Sequence, residues 1–221
     1  KASYNRTLQY LHQVSNSTSA TPFDVWIPSS TYVKPQLADQ VAAGYFRNFA
    51  DNMFEGSVEV YYKWMDNQVD YKDYAEIFLN ERLETELLRG TGEAYGAEFY
   101  LRKQKGMLTG WLSYTLSKTE RTVPGINNGN PYPLRHDRRH SGNLVLAYQF
   151  SPSINFGANL TYSTGGAITM PVGRYEYNGK TYPVYSERNG YRLPAYHRLD
   201  LSATYEKPRN EFKKYSGSWT L

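Results

Sequence analysis

Residues 92–118, GEAYGAEFYLRKQKGMLTGWLSYTLSK, alternate side-chain character in two runs separated by a polar break. In the first run Tyr95, Ala97, Phe99 and Leu101 share one face, with Gly96, Glu98, Tyr100 and Arg102 on the other. After Lys103-Gln104-Lys105-Gly106, Leu108, Gly110, Leu112, Tyr114 and Leu116 share a face opposite Thr109, Trp111, Ser113, Thr115 and Ser117. A period of two belongs to strands, and the break has the length and glycine of a tight turn. Each arm has about the ten residues that a tilted strand needs to cross a bilayer. One face suits lipid and the other water, which is the pattern of a transmembrane β-hairpin.

Composition permits this reading without forcing it. The chain has 221 residues, of which 40% are hydrophobic. Its mean hydropathy of −0.69 leaves no stretch resembling a membrane helix. Membrane barrels are equally hydrophilic on average, because half of each strand faces water. The 22 tyrosines outnumber the 9 phenylalanines and 4 tryptophans. An aromatic ring with a polar tip suits a lipid–water boundary or a ligand-contacting surface, and it also suits a soluble β-sandwich. The absence of cysteine excludes a disulfide framework and thiolate metal ligation. A net charge of +4, with both signs interspersed, offers no basic arm for nucleic acid.

The same alternation recurs along the chain. Strands are expected over Lys1 to His12, with Arg6 interrupting an otherwise apolar face, and over Ala38 to Phe49. After a tight turn at Ala50 to Met53, Phe54 to Trp64 gives the cleanest pattern, with Glu55, Ser57, Glu59, Tyr61 and Lys63 on its polar side. Met65 to Arg89 either continues the strands beyond the membrane or forms a helical stripe through Ile77, Leu79, Leu83 and Leu87; continuing strands are the expectation. Further strands are expected at Arg138 to Phe150, Ile154 to Ser163 and Arg198 to Glu206, with another beginning at Gly217. Gln13 to Gln36, Thr119 to Asp137 and Thr164 to His197 read as long loops, whereas Ser151 to Ser153 and Lys207 to Ser216 read as turns. Eight strands and the start of a ninth result, with mostly short turns alternating with long loops, as in outer-membrane barrels.

Few motifs carry chemistry. Gly90 to Gly96 departs from the dinucleotide fingerprint by one position and opens no helix, so close packing and strand curvature explain its glycines better. His136, Asp137 and His140 have local metal-ligand spacing without a fourth partner, and a hydrogen-bonded strand entrance accounts for them more simply. There is no nucleophile elbow and no catalytic constellation, so neither an enzyme nor a resident cofactor is expected. Glu55 and Glu59 lie roughly 13 Å apart along one strand, too far for an acid–base pair, and with Glu98 and Arg102 they are expected to line a polar lumen. The candidate ligand contacts lie in the aromatic loops: Trp26, Tyr32, Tyr132, Tyr175, Tyr177 and Tyr182, with Arg135 and Arg174 nearby. These residues can stack on and hydrogen-bond a ligand, or pack loop on loop.

Five runs in order, KPQLADQVAAGYFRNF, SVEVYYKWMDNQVDY, ETELLRGTGEAYGAEFYLRKQKGMLTGWLSYTLSKTER, DRRHSGNLVLAYQFS and YRLPAYHRLDLSATY, resemble the barrel of TonB-dependent outer-membrane receptors, particularly those of Bacteroidetes. The likeness covers nearly the whole chain. It implies an all-β antiparallel transmembrane barrel of 22 strands, of which residues 1–221 would be a C-terminal part of one barrel domain, without the plug, the signal peptide or the last strands. It further implies an outer-membrane location and import of a scarce extracellular ligand: a siderophore, haem, cobalamin, oligosaccharide or peptide. The implied partners are outer-membrane lipid, TonB with its inner-membrane energising complex acting through the plug, and in some relatives a surface lipoprotein. Glu55, Glu59, Glu98 and Arg102 would then contact the plug or line the path. The rival readings are a small barrel serving as adhesin or anchor, and a secreted carbohydrate-binding β-sandwich.

Overall fold

Alternating residues form long antiparallel strands. In a computed structural model, residues 1–14, 25–73, 75, 80–206 and 217–221 are described. The main strands are β1 (Ala2–Gln9), β4 (Gln36–Phe49), β5 (Phe54–Tyr71), β6 (Leu87–Lys103), β7 (Leu108–Thr122), β9 (His140–Ser151), β10 (Ile154–Ser163), β15 (Tyr196–Glu206) and β16 (Ser218–Thr220). They pair in the order β1-β4-β5-β6-β7-β9-β10-β15-β16, eight full strands and a short ninth, every pairing antiparallel. Seven shorter strands lie in the connections: β2 (Leu11–Val14), β3 (Val25–Pro28), β8 (Tyr132–Pro133), β11 (Ala167–Ile168), β12 (Pro171–Tyr177), β13 (Lys180–Tyr185) and β14 (Tyr191–Arg192).

The register aligns the apolar residues into continuous rows. Leu101, Leu112, Leu144, Leu160 and Leu199 face one another in turn across five strands. The large apolar side chains of this face are exposed, including Val60, Phe99, Leu112, Phe156 and Leu201. A sheet that turns Leu and Phe outward has no use for water on that side. Aromatic residues flank the aliphatic rows. Tyr62 and Tyr95 stack at 5.6 Å near one edge, and Phe49 and Phe54 at 5.3 Å near the other. From Phe54 to Trp64 the strand rises about 34 Å, or about 25 Å along the normal at the tilt of membrane barrels, the height of their apolar band.

Arg6 breaks the apolar face without leaving a bare charge. It lies directly opposite Asp39 and donates to it from Nε at 2.7 Å and Nη2 at 2.9 Å, while the Tyr4 hydroxyl donates to the same carboxylate at 2.6 Å. Asp39, Trp64, Glu93 and Glu120 occupy one cross-strand row, where the Tyr62 hydroxyl caps Glu93 and Lys118 pairs with Glu120. A polar row directly above the tyrosines marks where the apolar band ends.

Connections segregate by length. β4 turns to β5 through residues 50–53, β6 to β7 through 104–107, and β9 to β10 through 152–153. In the second of these turns Gly106 has φ +97°, a left-handed conformation that a side chain disfavours. The connections after β1, β5, β7 and β10 are long and lie together at the opposite end. Strands do continue past Met65: β5 runs to Tyr71, with a register shift between Met65 and Gln68 at left-handed Asn67. Of the alternative helical stripe, Leu83 starts a 3₁₀ turn and Leu87 starts β6, while Ile77 and Leu79 lie outside the described residues. The turn expected at Lys207 to Ser216 also lies outside them. Several boundaries move. The first strand ends at Gln9 rather than His12, which falls in β2, and β4 starts at Gln36 rather than Ala38. β7 continues through Thr122, where a loop was expected, because β6 extends alongside it. β9 starts at His140 rather than Arg138, and the loop expected to reach His197 ends before Tyr196.

Candidate ligand site at the long-loop end

The side chains that build the site come from strand ends and from loops distant in sequence. β5 ends in Gln68, Val69, Asp70 and Tyr71, and β7 carries Arg121 one register step beyond Thr119 on its polar phase. The β7–β9 connection folds Val123, Ile126 and Tyr132 into a small core with Leu88, in which Ile126 and Val123 have no exposed surface. The β10–β15 connection contributes Arg188, which is 6% exposed. Gly90 permits this closeness, since a Cβ there would run into the Thr122 carbonyl and Val123.

Asp70 is the hub. It accepts from the Tyr132 hydroxyl at 2.5 Å, from Arg188 Nη1 at 2.9 Å and from Arg121 Nη1 at 3.4 Å. Arg188 also donates to Asp73 at 2.7 Å and to the Tyr71 carbonyl at 3.2 Å, and its guanidinium lies 4.0 Å from the centre of the Tyr71 ring. Asn127 clasps the backbone of Arg188 from both sides: its amide donates to the Arg188 carbonyl at 3.1 Å, and its oxygen accepts the Arg188 N–H at 2.7 Å. Arg121 donates to the Val69 carbonyl at 2.8 Å and to Gln68 at 3.2 Å, leaving Nε buried without a partner. Burial, and then the neighbouring charge of Asp70, push the Tyr132 phenol far above its ordinary pKa, so it stays a donor. Burial likewise raises Tyr71.

A second tie fastens the same loops. Asp137 is 2% exposed, accepts the Thr119 N–H at 2.7 Å and pairs with Arg192, which also donates to the Asp137 carbonyl at 2.9 Å. His140 turns its Nδ1 to the Tyr114 hydroxyl at 2.7 Å. Asp137 and His140 are thus drawn to different partners, and no group of three metal-ligating side chains occurs among the described residues.

Beside Asp70 lies a cleft of about 500 Å³, bordered by Asp70, Tyr71, Arg121, Tyr132, Arg135, His136 and Arg188. Three guanidiniums and one carboxylate border it, so its charge is biased positive. Beyond Arg188 a second hollow of about 610 Å³ is bordered by Asp73, Asn127, Tyr175, Tyr182 and Tyr185. Tyr175 and Tyr182 stack there at 5.4 Å across the β12–β13 hairpin.

The candidate loop residues therefore divide. Tyr132 and Arg135 border the first cleft, with Tyr132 2% exposed and fixed to Asp70. Tyr175 and Tyr182 border the second. Arg174 and Tyr177 stand exposed on the β12–β13 hairpin, and Tyr32 is exposed elsewhere. Trp26 borders a separate hollow with Leu8, Tyr10 and Lys63. The candidate wall residues form another group: Glu55 faces Arg102 and Glu59 faces Glu98 across β5 and β6. They lie towards the short turns, and Glu59 is roughly 35 Å along β5 from Asp70. Asp70, Arg121 and Arg188 were not singled out by sequence. For Arg121 a signal existed, because carrying the polar phase of β7 past Thr119 points it inward. Asp70 and Arg188 meet across 118 positions of chain, and nothing local announces that contact.

Known proteins place this architecture. The profile of the family described as "TonB dependent receptor-like, beta-barrel" matches residues 1–221. Among solved structures, the ferric-catecholate import receptor Fiu from K12 E. coli is 20% identical, with a TM-score of 0.57 over 95% of this chain and 26% of the receptor. The ferripyoverdine receptor of the outer membrane of Pseudomonas aeruginosa is 12% identical, with the same TM-score over 98% of this chain and 26% of that one. The FrpB iron transporter from Neisseria meningitidis is 16% identical, with a TM-score of 0.50 over 78% of this chain and 25% of its own. The chain thus spans about a quarter of the length of these receptors. No protein of curated function matches it. A family match along the whole chain, agreeing with the strand order and the segregated loops, makes this chain a member of the TonB-dependent receptor β-barrel family.

Proposed function

We propose that this chain is part of the barrel of an outer-membrane receptor, of the Bacteroidetes type, that captures a scarce iron chelate and imports it by a TonB-dependent mechanism. The observation that carries the reading is the convergence of three long loops on one positively biased cleft at one end of a sheet whose outer face is apolar. The structural neighbours bear on the ligand: their names specify ferric catecholate, ferripyoverdine and iron. In this reading the long-loop end faces outside, and Tyr132, Arg135, Tyr175 and Tyr182 border the capture site. Arg174 and Tyr177 stand exposed on the β12–β13 hairpin that carries Tyr175 and Tyr182, while Trp26 and Tyr32 offer outlying aromatic contacts to a ligand. The full barrel has 22 strands and encloses a plug that TonB remodels. Glu59 and Glu98, directly opposed without an ion pair among the described residues, face that plug together with Glu55 and Arg102. Like charges placed opposite each other disfavour the sheet, and a cationic plug surface would relieve them.

The test measures accumulation of radiolabelled iron chelates by cells carrying the intact receptor, with and without TonB. Loss of accumulation with surface binding retained is the expected result. Accumulation that ignores TonB, or adhesion to surfaces with no uptake of any chelate, would move the chain to the anchor or adhesin reading.

A further inference from the structure

The cleft already holds an anion, and the protein supplies it. The Asp70 carboxylate occupies the space between Arg121 and Arg188, with one oxygen on each guanidinium and the Tyr132 hydroxyl on the oxygen nearer Arg121. Its grip is uneven. Arg188 donates at 2.9 Å, but Arg121 reaches Asp70 only at 3.4 Å and keeps Nε without a partner. The guanidinium of Arg121 is therefore incompletely satisfied while already desolvated, its side chain being 17% exposed. A planar guanidinium with a spare donor pairs best with an oxyanion that can lie along its edge. Arg135 borders the same cleft, and the second carboxylate on Arg188, that of Asp73, lies outside it, so an entering ligand with several negative oxygens meets three guanidiniums and one carboxylate along its walls.

We propose that Asp70 is an internal stand-in for the ligand: the cleft selects a multiply anionic, oxygen-rich chelate, which competes with the Asp70 carboxylate for Arg121 and Arg188. This rests on the import reading above and narrows it to a charge class. It also couples capture to loop position. Arg188 joins Asp70 and Tyr71 at the end of β5, Asp73 just beyond it, and Asn127 of the β7–β9 connection. A ligand that draws Arg188 from Asp70 changes the contact holding the β10–β15 connection against the other two. No bond is made or broken, so the exchange is one of ion pairs only.

The experiment uses the intact receptor in detergent and two probes of similar size: a trianionic ferric tris(catecholate) and an uncharged ferric tris(hydroxamate). The wild-type protein is expected to bind the trianion in preference, with an affinity that falls as salt rises. Asp70→Asn, which keeps the shape but removes the competing charge, should tighten the trianion severalfold. Arg188→Gln should weaken it severalfold. The neutral chelate should respond to neither change. Equal affinity for both probes, or a trianion indifferent to salt, overturns the proposal from the wild type alone, even where a variant fails to fold. An Asp70→Asn receptor that keeps its heat-modifiable barrel and binds the trianion no better overturns it too. TonB-dependent accumulation of the neutral chelate with no binding of the trianion would sink the charge class while sparing the import reading. Loss of TonB dependence would sink the import reading itself.

Discussion

Single residues at the long-loop end show how environment overrules residue type. Tyr132 reads in sequence like any loop tyrosine available to a ligand, yet it is part of the small core with Val123 and Ile126 and serves as donor to Asp70. Arg188 sits among Ser186, Glu187, Asn189 and Gly190, a run that resembles a solvated surface, and the structure buries it. Neither was legible, because the partner that changes each one's role is far away in the chain. His12 is a third case, with a consequence for pH. It is 1% exposed, hydrogen-bonds Ser29 at 2.8 Å through Nε2, and leaves Nδ1 buried without a partner. Burial lowers its pKa from the ordinary 6.5, so the closed loop disfavours its charged form. The opened loop, with an ordinary histidine, binds the proton more readily. The contribution of His12 is therefore complete above 6.5 and is lost progressively as pH falls from that value towards the lowered pKa of the closed loop. Hydrogen exchange at β2 and β3, corrected for intrinsic rates, should show less protection at about pH 5.5 than at about pH 7.5. A His12→Phe receptor should show no such difference. Equal protection of the wild type at both values would remove His12 from any role in holding this hairpin.

Strands divide into those that sequence reveals and those that it conceals, for a physical reason. A strand with one wet and one apolar side must alternate, so β5, β6, β7, β9, β10 and β15 were visible and their phase was correct. The β12–β13 hairpin was read as loop because all its residues are exposed, and without an inside there is no reason to alternate. β2 and β3 are four residues each, too short for a period to register. The phase of the long strands makes a sharp prediction at Val60 and its neighbour Glu59. Val60 is 49% exposed on the apolar face, midway between Phe54 and the boundary row at Trp64. Val60→Arg should cost about 2–4 kcal/mol, the penalty of a guanidinium at the bilayer midplane. Arg6 escapes that penalty by lying opposite Asp39 near the boundary, whereas Val60 faces Ala43 and Ala97 and has no carboxylate to meet. Glu59→Arg, one residue away on the polar face, should shift stability far less and relieves the opposition to Glu98. Urea titrations of the intact receptor folded into vesicles compare the two. A larger loss for Glu59→Arg would invert the assignment of faces.

At the scale of the whole sheet, the decisive feature is its two ends. β1 pairs with β4 alone and β16 with β15 alone, so among the described residues one side of each lacks a backbone partner. In water such an edge is a site of unwanted pairing. In a bilayer it is worse, because each unsatisfied N–H or C=O facing hydrocarbon costs several kcal/mol, and only a closed sheet avoids it. Bending eight full strands until β1 met β15 and β16 would give a barrel of the smallest size, whose interior only side chains can fill. The polar face is poorly suited to that, with Glu55, Glu59, Lys63, Glu98 and Arg102 directed inward from two adjacent strands. Crowding these charges into a dry core would raise the cost of desolvating them. Residues 1–221 expressed alone and refolded into vesicles should therefore fail to give a compact monomer whose electrophoretic mobility changes on boiling, and should associate through the open strands instead. The intact receptor should give that monomer. Should residues 1–221 by themselves form a heat-modifiable monomer, β1 would have to be closing on the far edge, and the small-barrel anchor would displace the importer as the better account of the sheet.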